Sequence, residues 1–343
     1  MTISPLNFKA TVREGLLDLI WRQWSALGVA GHGSGPPDWA VDIEALVLVT
    51  TRYGRTDPRL FDEMLDWLWG NAQWVNVQRL RNIQKKVPLG DEHVLSAIAA
   101  WLCQRSPLLK WKPLVTTPAN GGASPVSLFR FQDGREMSVR GEVDPIFARH
   151  GLMRPLVERR EMSRPPNPQH AAALGWKLRC IFGVQARCEF ILWLLAHERG
   201  HAAEIARATY YYPKTVEDAL RELTASGLVR SAPAGRSTRY WIDSDAWVLF
   251  LRSWDTPRGF PRWFDWPRLF HYLDRIINVG EGQELSPLLH ASELRRVFEE
   301  MLPILETGEL RTLFSANRKE TGERFTSALR NDIETLFQRL SGA

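Results

Sequence analysis

The sequence predicts a mainly helical protein of several domains, built around a central unit of three helices and a β-hairpin. Apolar residues recur three and four apart along most of the chain, the spacing of helices that bury one face. Strand-like stretches bounded by turn residues are short and fall in the middle. At 343 residues, 44% hydrophobic and 24% charged, the chain has the size and composition of a globular protein with two or three cores. The expected domains are residues 1–106, helical; 107–170, an irregular hairpin module with a linker; 171–243, the three helices and hairpin; and 244–343, helical again.

In the first segment Leu16, Leu17, Ile20, Trp21 and Trp24 form one face of a helix ending near Gly28. Gly31 to Pro37 reads as a connection, because a phosphate-cradling glycine loop follows a strand and opens into a helix. Gly33-Ser34 with Asp42-Ile43-Glu44 faintly resembles the Gly-Ser and paired carboxylates of nucleotidyltransferases, but Asp42 to Thr50 also reads as a capped helix. Further helices are expected over Pro58–Trp69 and Glu92–Cys103. Between them Asn76 can cap a helix whose polar side carries Gln78, Arg79, Arg81, Asn82, Lys85 and Lys86. That side is either solvated or a second nucleic-acid contact.

From Ser106 to His170 the pattern turns irregular. Asn120-Gly121-Gly122 breaks the chain, Ser127–Phe131 and Glu136–Val139 read as strands joined at Asp133-Gly134, and Arg164–Pro168 reads as a linker.

Residues 171–243 hold the densest pattern. A helix over Gln185–His197 stops at Glu198-Arg199-Gly200, and a shorter one runs from Ala202 to Ala208. A third starts at Pro213, whose fixed φ suits a first helical position, and runs through Val216, Ala219, Leu220 and Leu223 to Gly227. Its opposite face shows Lys214, Thr215, Asp218 and Arg221. Leu228-Val229-Arg230, a turn at Pro233-Ala234-Gly235 and a return strand Arg239–Ile242 follow.

This order resembles the winged helix-turn-helix of bacterial transcription regulators, the ArsR-like and MarR-like groups in particular. The likeness is carried by Ala203, Ile205, Ala206, Val216, Ala219, Leu220, Leu223, Gly227, Leu228, Val229, Gly235, Arg239 and Tyr240, and covers about a fifth of the chain. It implies that the third helix enters the major groove of duplex DNA while the hairpin lies on phosphates or the minor groove. The residues implied to face DNA are Tyr211, Tyr212, Lys214, Thr215, Asp218, Arg221, Arg230, Arg236, Ser237 and Arg239. Glu217 and Asp218 favour the helix dipole there but repel phosphate. No metal sensing is carried over, since Cys180 and Cys188 lie before the motif and Cys103 is remote.

His197-Glu198-Arg199-Gly200-His201 spells the H-E-x-x-H of zinc peptidases, in which two histidines one helical turn apart hold zinc and the glutamate activates water. The peptidase motif needs one unbroken helix, whereas Gly200 marks a turn, so neither metal nor other cofactor is expected.

Beyond Asp243, Trp247, Phe250, Trp254, Phe260, Trp263, Phe264 and Trp266 alternate with Arg252, Arg258, Arg262 and Arg268. The mixture would suit stacking on single-stranded nucleic acid, but Pro257, Pro261 and Pro267 favour a packed crossing loop. Helices are expected over Leu269–Ile277, Leu294–Leu305 and Phe325–Leu340. The last carries an apolar stripe of Phe325, Leu329, Ile333, Leu336, Phe337 and Leu340, read as core or as a dimer seam.

The net charge of +5 is unevenly placed. Basic and acidic residues number 11 and 11 over 1–106, 10 and 6 over 107–170, 10 and 7 over 171–243, and 13 and 15 over 244–343. The surplus sits on and just before the three-helix unit, as expected of a polyanion-binding centre. Three cysteines point to a reducing compartment, and the longest apolar run, Phe190–Ala196, is too short to span a bilayer. The expectation is a cytoplasmic, homodimeric regulator without catalysis that binds double-stranded DNA. The alternatives are an adaptor or antitoxin-like protein acting on a protein partner and, third, a zinc hydrolase.

Overall fold

In the computed structural model the described residues are 5–31, 38–116, 125–235, 237–251, 260–281, 285–305 and 319–341. They are mainly helical. The chain divides into two compact units, Gln23–Trp263 and Met1–Arg22 with Phe264–Ala343. The boundaries drawn from the sequence at 106 and 170 therefore fall inside one unit, and the first helical residues belong with the C-terminal ones.

After α1 (Pro5–Ala26) come α2 (Ile43–Tyr53), α3 (Pro58–Asn71), α4 (Val77–Lys86) and α5 (Glu92–Leu102). Each of these last four starts where an acid or amide can cap it. Asp42, Asp57, Asn76 and Asp91 accept from the backbone N–H of Ala45, Leu60, Arg79 and Val94, satisfying groups that a helix end leaves open. A stretch of 3-10 helix, Ser106–Leu114, follows.

The next segment holds little regular structure: β1 (Val126–Ser127) pairs in parallel with β2 (Leu152–Met153), and α6 (Pro145–Arg149) lies between them in sequence. The hairpin expected at Asp133-Gly134 reduces to a tight turn closed by one bridge, Arg130 to Glu136. Ser127 pairs instead with Met153 of β2.

Then come α7 (Leu174–Phe182), α8 (Ala186–Ala196), β3 (Gly200–His201), α9 (Ala202–Thr209), α10 (Pro213–Ala225), β4 (Arg230–Ala234), β5 (Ser237–Trp241) and α11 (Ser244–Leu251). The short strand β3 was not expected. It pairs with β5, which also pairs with β4, so β5 is the central strand of three. Pro233 sits in β4, where an outer strand can spare a donor. Ile191, Leu194, Ile205, Val216, Leu220, Val229 and Tyr240 meet in one apolar cluster beneath these elements.

The other unit contains α12 (Trp266–Ile277), α13 (Pro287–Leu305) and α14 (Gly322–Ser341). The stripe of α14 is interior: Phe325, Leu329, Ile333, Leu336 and Leu340 are each 0% exposed within the single chain. It is therefore not available as a dimer seam. Phe337 lies so close to α1 that a Cβ at Gly15 would come within 2.4 Å of its ring, so glycine is required there. Trp247, Phe264 and Trp266 are also buried, against a role for these three in stacking on bases. Arg252, Trp254, Pro257 and Arg258 lie outside the described residues, as do Gly33, Ser34 and Asn120 to Gly122. No helix among the described residues is long and apolar enough to cross a membrane.

Candidate nucleic-acid interface

The outward face of α10 is set by its inward one. Val216, Leu220 and Leu223 are buried, which leaves Lys214, Thr215, Glu217 and Arg221 exposed and Asp218 partly so. The chain enters this helix through a tight turn. Tyr210 takes the left-handed conformation (φ 67°), unusual for a bulky residue, and its fully buried ring offsets the cost. Tyr211 turns inward and Tyr212 outward, 62% exposed.

Cations and acids on α10 neutralise one another: Lys214 pairs with Asp218 at 2.9 Å, and Arg221 lies 3.3 Å from Glu217 and 3.5 Å from Asp218. Exposed pairs of this kind stabilise a helix by only about 0.3–0.5 kcal/mol, so a phosphate can displace them.

The hairpin follows α10 in the chain and packs on the same apolar cluster. Arg230, Ser237, Thr238 and Arg239 are exposed, while Tyr240 points to the core. Gly235 supplies the positive φ (65°) of the turn. Arg236 lies outside the described residues. On the other side of β5, His201 of β3 stands opposite Arg239, its Nδ1 3.2 Å from both the Thr238 carbonyl and the Ser237 hydroxyl.

The His197–His201 motif does not lie on one helix. Helix α8 ends at Ala196 and His201 belongs to β3. The His197 ring stacks on Trp193 at 3.9 Å with Nδ1 against the Trp193 carbonyl, and burial lowers its pKa. Gly200 is there for close approach: a Cβ would lie 2.4 Å from the Trp193 ring. Gly200→Ala is expected to cost about 1–3 kcal/mol, the usual penalty of overpacking, read as a lower urea midpoint. A midpoint equal to wild type would show that the ring yields freely.

Where α2, α4, α7 and α8 meet lies a buried ionic cluster that the sequence did not announce. Arg79 was expected on the polar side of α4, but it is 2% exposed and points inward. Its guanidinium donates to both oxygens of Asp42, at 2.7 and 2.5 Å, to Glu44 at 2.7 Å and to the Thr209 carbonyl at 3.2 Å. Arg179 of α7 donates to both oxygens of Glu44 and to Glu189 of α8, each at 2.7 Å. Glu44 also accepts from the Asn76 N–H, and the Asn76 side chain donates to the Tyr211 hydroxyl at 2.9 Å.

Burial alone would raise the pKa of Glu44, but Arg179 and Arg79 outweigh it and hold the carboxyl at about 2. Both guanidinium pKa values rise well above the ordinary one: desolvation opposes charge, and the carboxylates prevail. Burial raises the Tyr211 pKa too. Tyr211 is thus part of this cluster and not of the surface, a correction to its expected role at DNA. Asp42 and Glu44, whose spacing suggested nucleotidyltransferase carboxylates, are taken up by arginines. Among the described residues no group of three or more His, Cys, Asp or Glu is placed to hold a metal ion.

Compared with known protein families, with curated proteins and with solved structures, the chain matches none.

Proposed function

We propose that the chain is a transcription regulator that reads double-stranded DNA through a winged helix-turn-helix formed by α8, α9 and α10 with the β4–β5 hairpin as its wing. One observation carries the reading: α10 exposes Lys214, Thr215 and Arg221, and the hairpin that follows it on the same core exposes Arg230, Ser237 and Arg239. A protruding helix and an adjacent basic hairpin suit a major groove and its bordering phosphates. The excess of basic over acidic residues across 107–243 supports it. Two copies on paired half-sites belong to the proposal, because one such helix reaches few bases. Their seam is not the α14 stripe.

Arg230→Ala and Arg239→Ala should weaken binding to every duplex about equally, each lowering the slope of log K against log salt by roughly one unit. Lys214→Ala and Thr215→Ala should instead change the preference among sequences, since base edges are reached from there. Anisotropy titrations on duplexes of varied sequence measure both. Wing variants that leave affinity and salt dependence at the wild-type values would sink the assignment.

A second reading, an adaptor for a protein partner, is favoured by Leu249 and Phe250 of α11, which are 63% and 52% exposed. Absence of any salt-dependent duplex binding by the intact chain would favour it.

A further inference from the structure

We propose that the outer edge of α4, formed by Arg81, Lys85 and Lys86, is a second phosphate-gripping surface continuous with α10, so that bound duplex touches a segment outside the winged module. The inference rests on the DNA reading above and extends its footprint.

Helix α4 is fixed against the turn that leads into α10. Arg79 donates to the Thr209 carbonyl, Asn76 to the Tyr211 hydroxyl at 2.9 Å, and the Lys86 ammonium to the Tyr211 carbonyl at 3.2 Å. The same ammonium lies 5.9 Å from the ring centre of exposed Tyr212, the residue just before Pro213 of α10. Basic charge therefore runs from α4 past Tyr212 to Lys214 without leaving the surface.

The chemistry of α4 differs from that of α10. Its sequence, Val77 to Lys86, holds two arginines, two lysines and no acid. With Arg79 turned inward, Gln78, Arg81 and Lys85 recur three and four residues apart and share the outer stripe, with Gln78 and Lys85 exposed and Arg81 partly so. On α10 each exposed cation has a carboxylate beside it; on this stripe of α4 the helix supplies none. A polyanion tracking α10 would meet these cations next, and duplex DNA presents about one negative charge per 1.7 Å of axis.

The test uses the intact chain and a mixed-sequence duplex long enough to extend beyond the α10 contact on either side. Binding is followed by anisotropy across a salt series. K85Q combined with K86Q is expected to lower the salt slope by nearly two units and, at about 0.1 M salt, to weaken binding roughly 60-fold. Lys86→Arg should keep the slope and the wild-type urea midpoint. The inference is overturned if the double variant keeps the wild-type slope while Arg239→Ala lowers it, which leaves the winged module as the whole interface. It is also overturned if Lys86→Arg is as weak as the double variant, since Lys86 would then only brace the turn. If the wild type shows no salt-dependent binding, the DNA reading itself fails, a different outcome from either.

Discussion

Glu44→Gln is expected to lower stability by about 3–5 kcal/mol, the range for removing one partner from a buried ion pair. The substitution changes little in shape, so the loss is electrostatic. Two guanidiniums that share one fully buried carboxylate are left with Asp42 and Glu189, and one of the two acceptors that Arg179 meets at 2.7 Å is replaced by an amide NH2, itself a donor. The sign with pH is fixed by the depressed pKa. A carboxyl held at about 2 in the folded chain, against an ordinary 4.5, contributes stability that is complete above about 4.5 and disappears as pH falls through about 2. Wild type should therefore lose ground across that window, and the variant should lose less. Glu334→Gln is the control, because its partner Arg330 lies at the surface and such pairs contribute about 0–1 kcal/mol. Urea titrations at pH 7 and pH 3 decide the matter. A Glu44→Gln midpoint within error of wild type at pH 7 would mean that water or relaxation screens the cluster.

Leu329→Glu with Ile333→Glu should prevent α14 from packing, instead of producing folded monomers. Both side chains are fully buried within one chain, beside Phe325 and Leu336. A carboxylate placed there has no partner and must either protonate or expel the helix. Milder changes grade the effect: Ile333→Val should cost about 0.5–1.5 kcal/mol and Leu329→Ala about 2–5 kcal/mol, with the transfer and cavity contributions both present. Near-ultraviolet circular dichroism and light scattering separate the outcomes. A well-folded double variant at half the wild-type mass would restore the stripe as a seam between copies.

The positions of the helices were legible where local chemistry determines them. Asp42, Asp57, Asn76 and Asp91 mark four helix starts, and the apolar spacing of α10 and α14 gives their buried faces. Strand β3 was not legible, because two residues paired to β5 carry no periodicity of their own. The ionic cluster was hidden for a different reason: Glu44 and Arg179 are 135 positions apart, and nothing local says that they meet. Two signals pointed toward it. Glu189 stands between Cys188 and the apolar run from Phe190 to Ala196, where a charge needs a partner. Arg79 lies one helical turn before buried Ile83, on the inner side of α4 and not the outer. Adjacent Tyr211 and Tyr212 looked alike in sequence, yet a turn sends them to opposite sides.

The same cluster bears on whether the segment 171–243 can be moved. Cut out as residues 171–243, it would keep Arg179 and Glu189 but lose Glu44, and the Tyr211 hydroxyl would lose its Asn76 donor. A charged surface would open where the intact chain has an interior. The module is thus not a cassette that recombination can transplant alone; α2 and α4 would have to travel with it, or its new host would have to supply their charges.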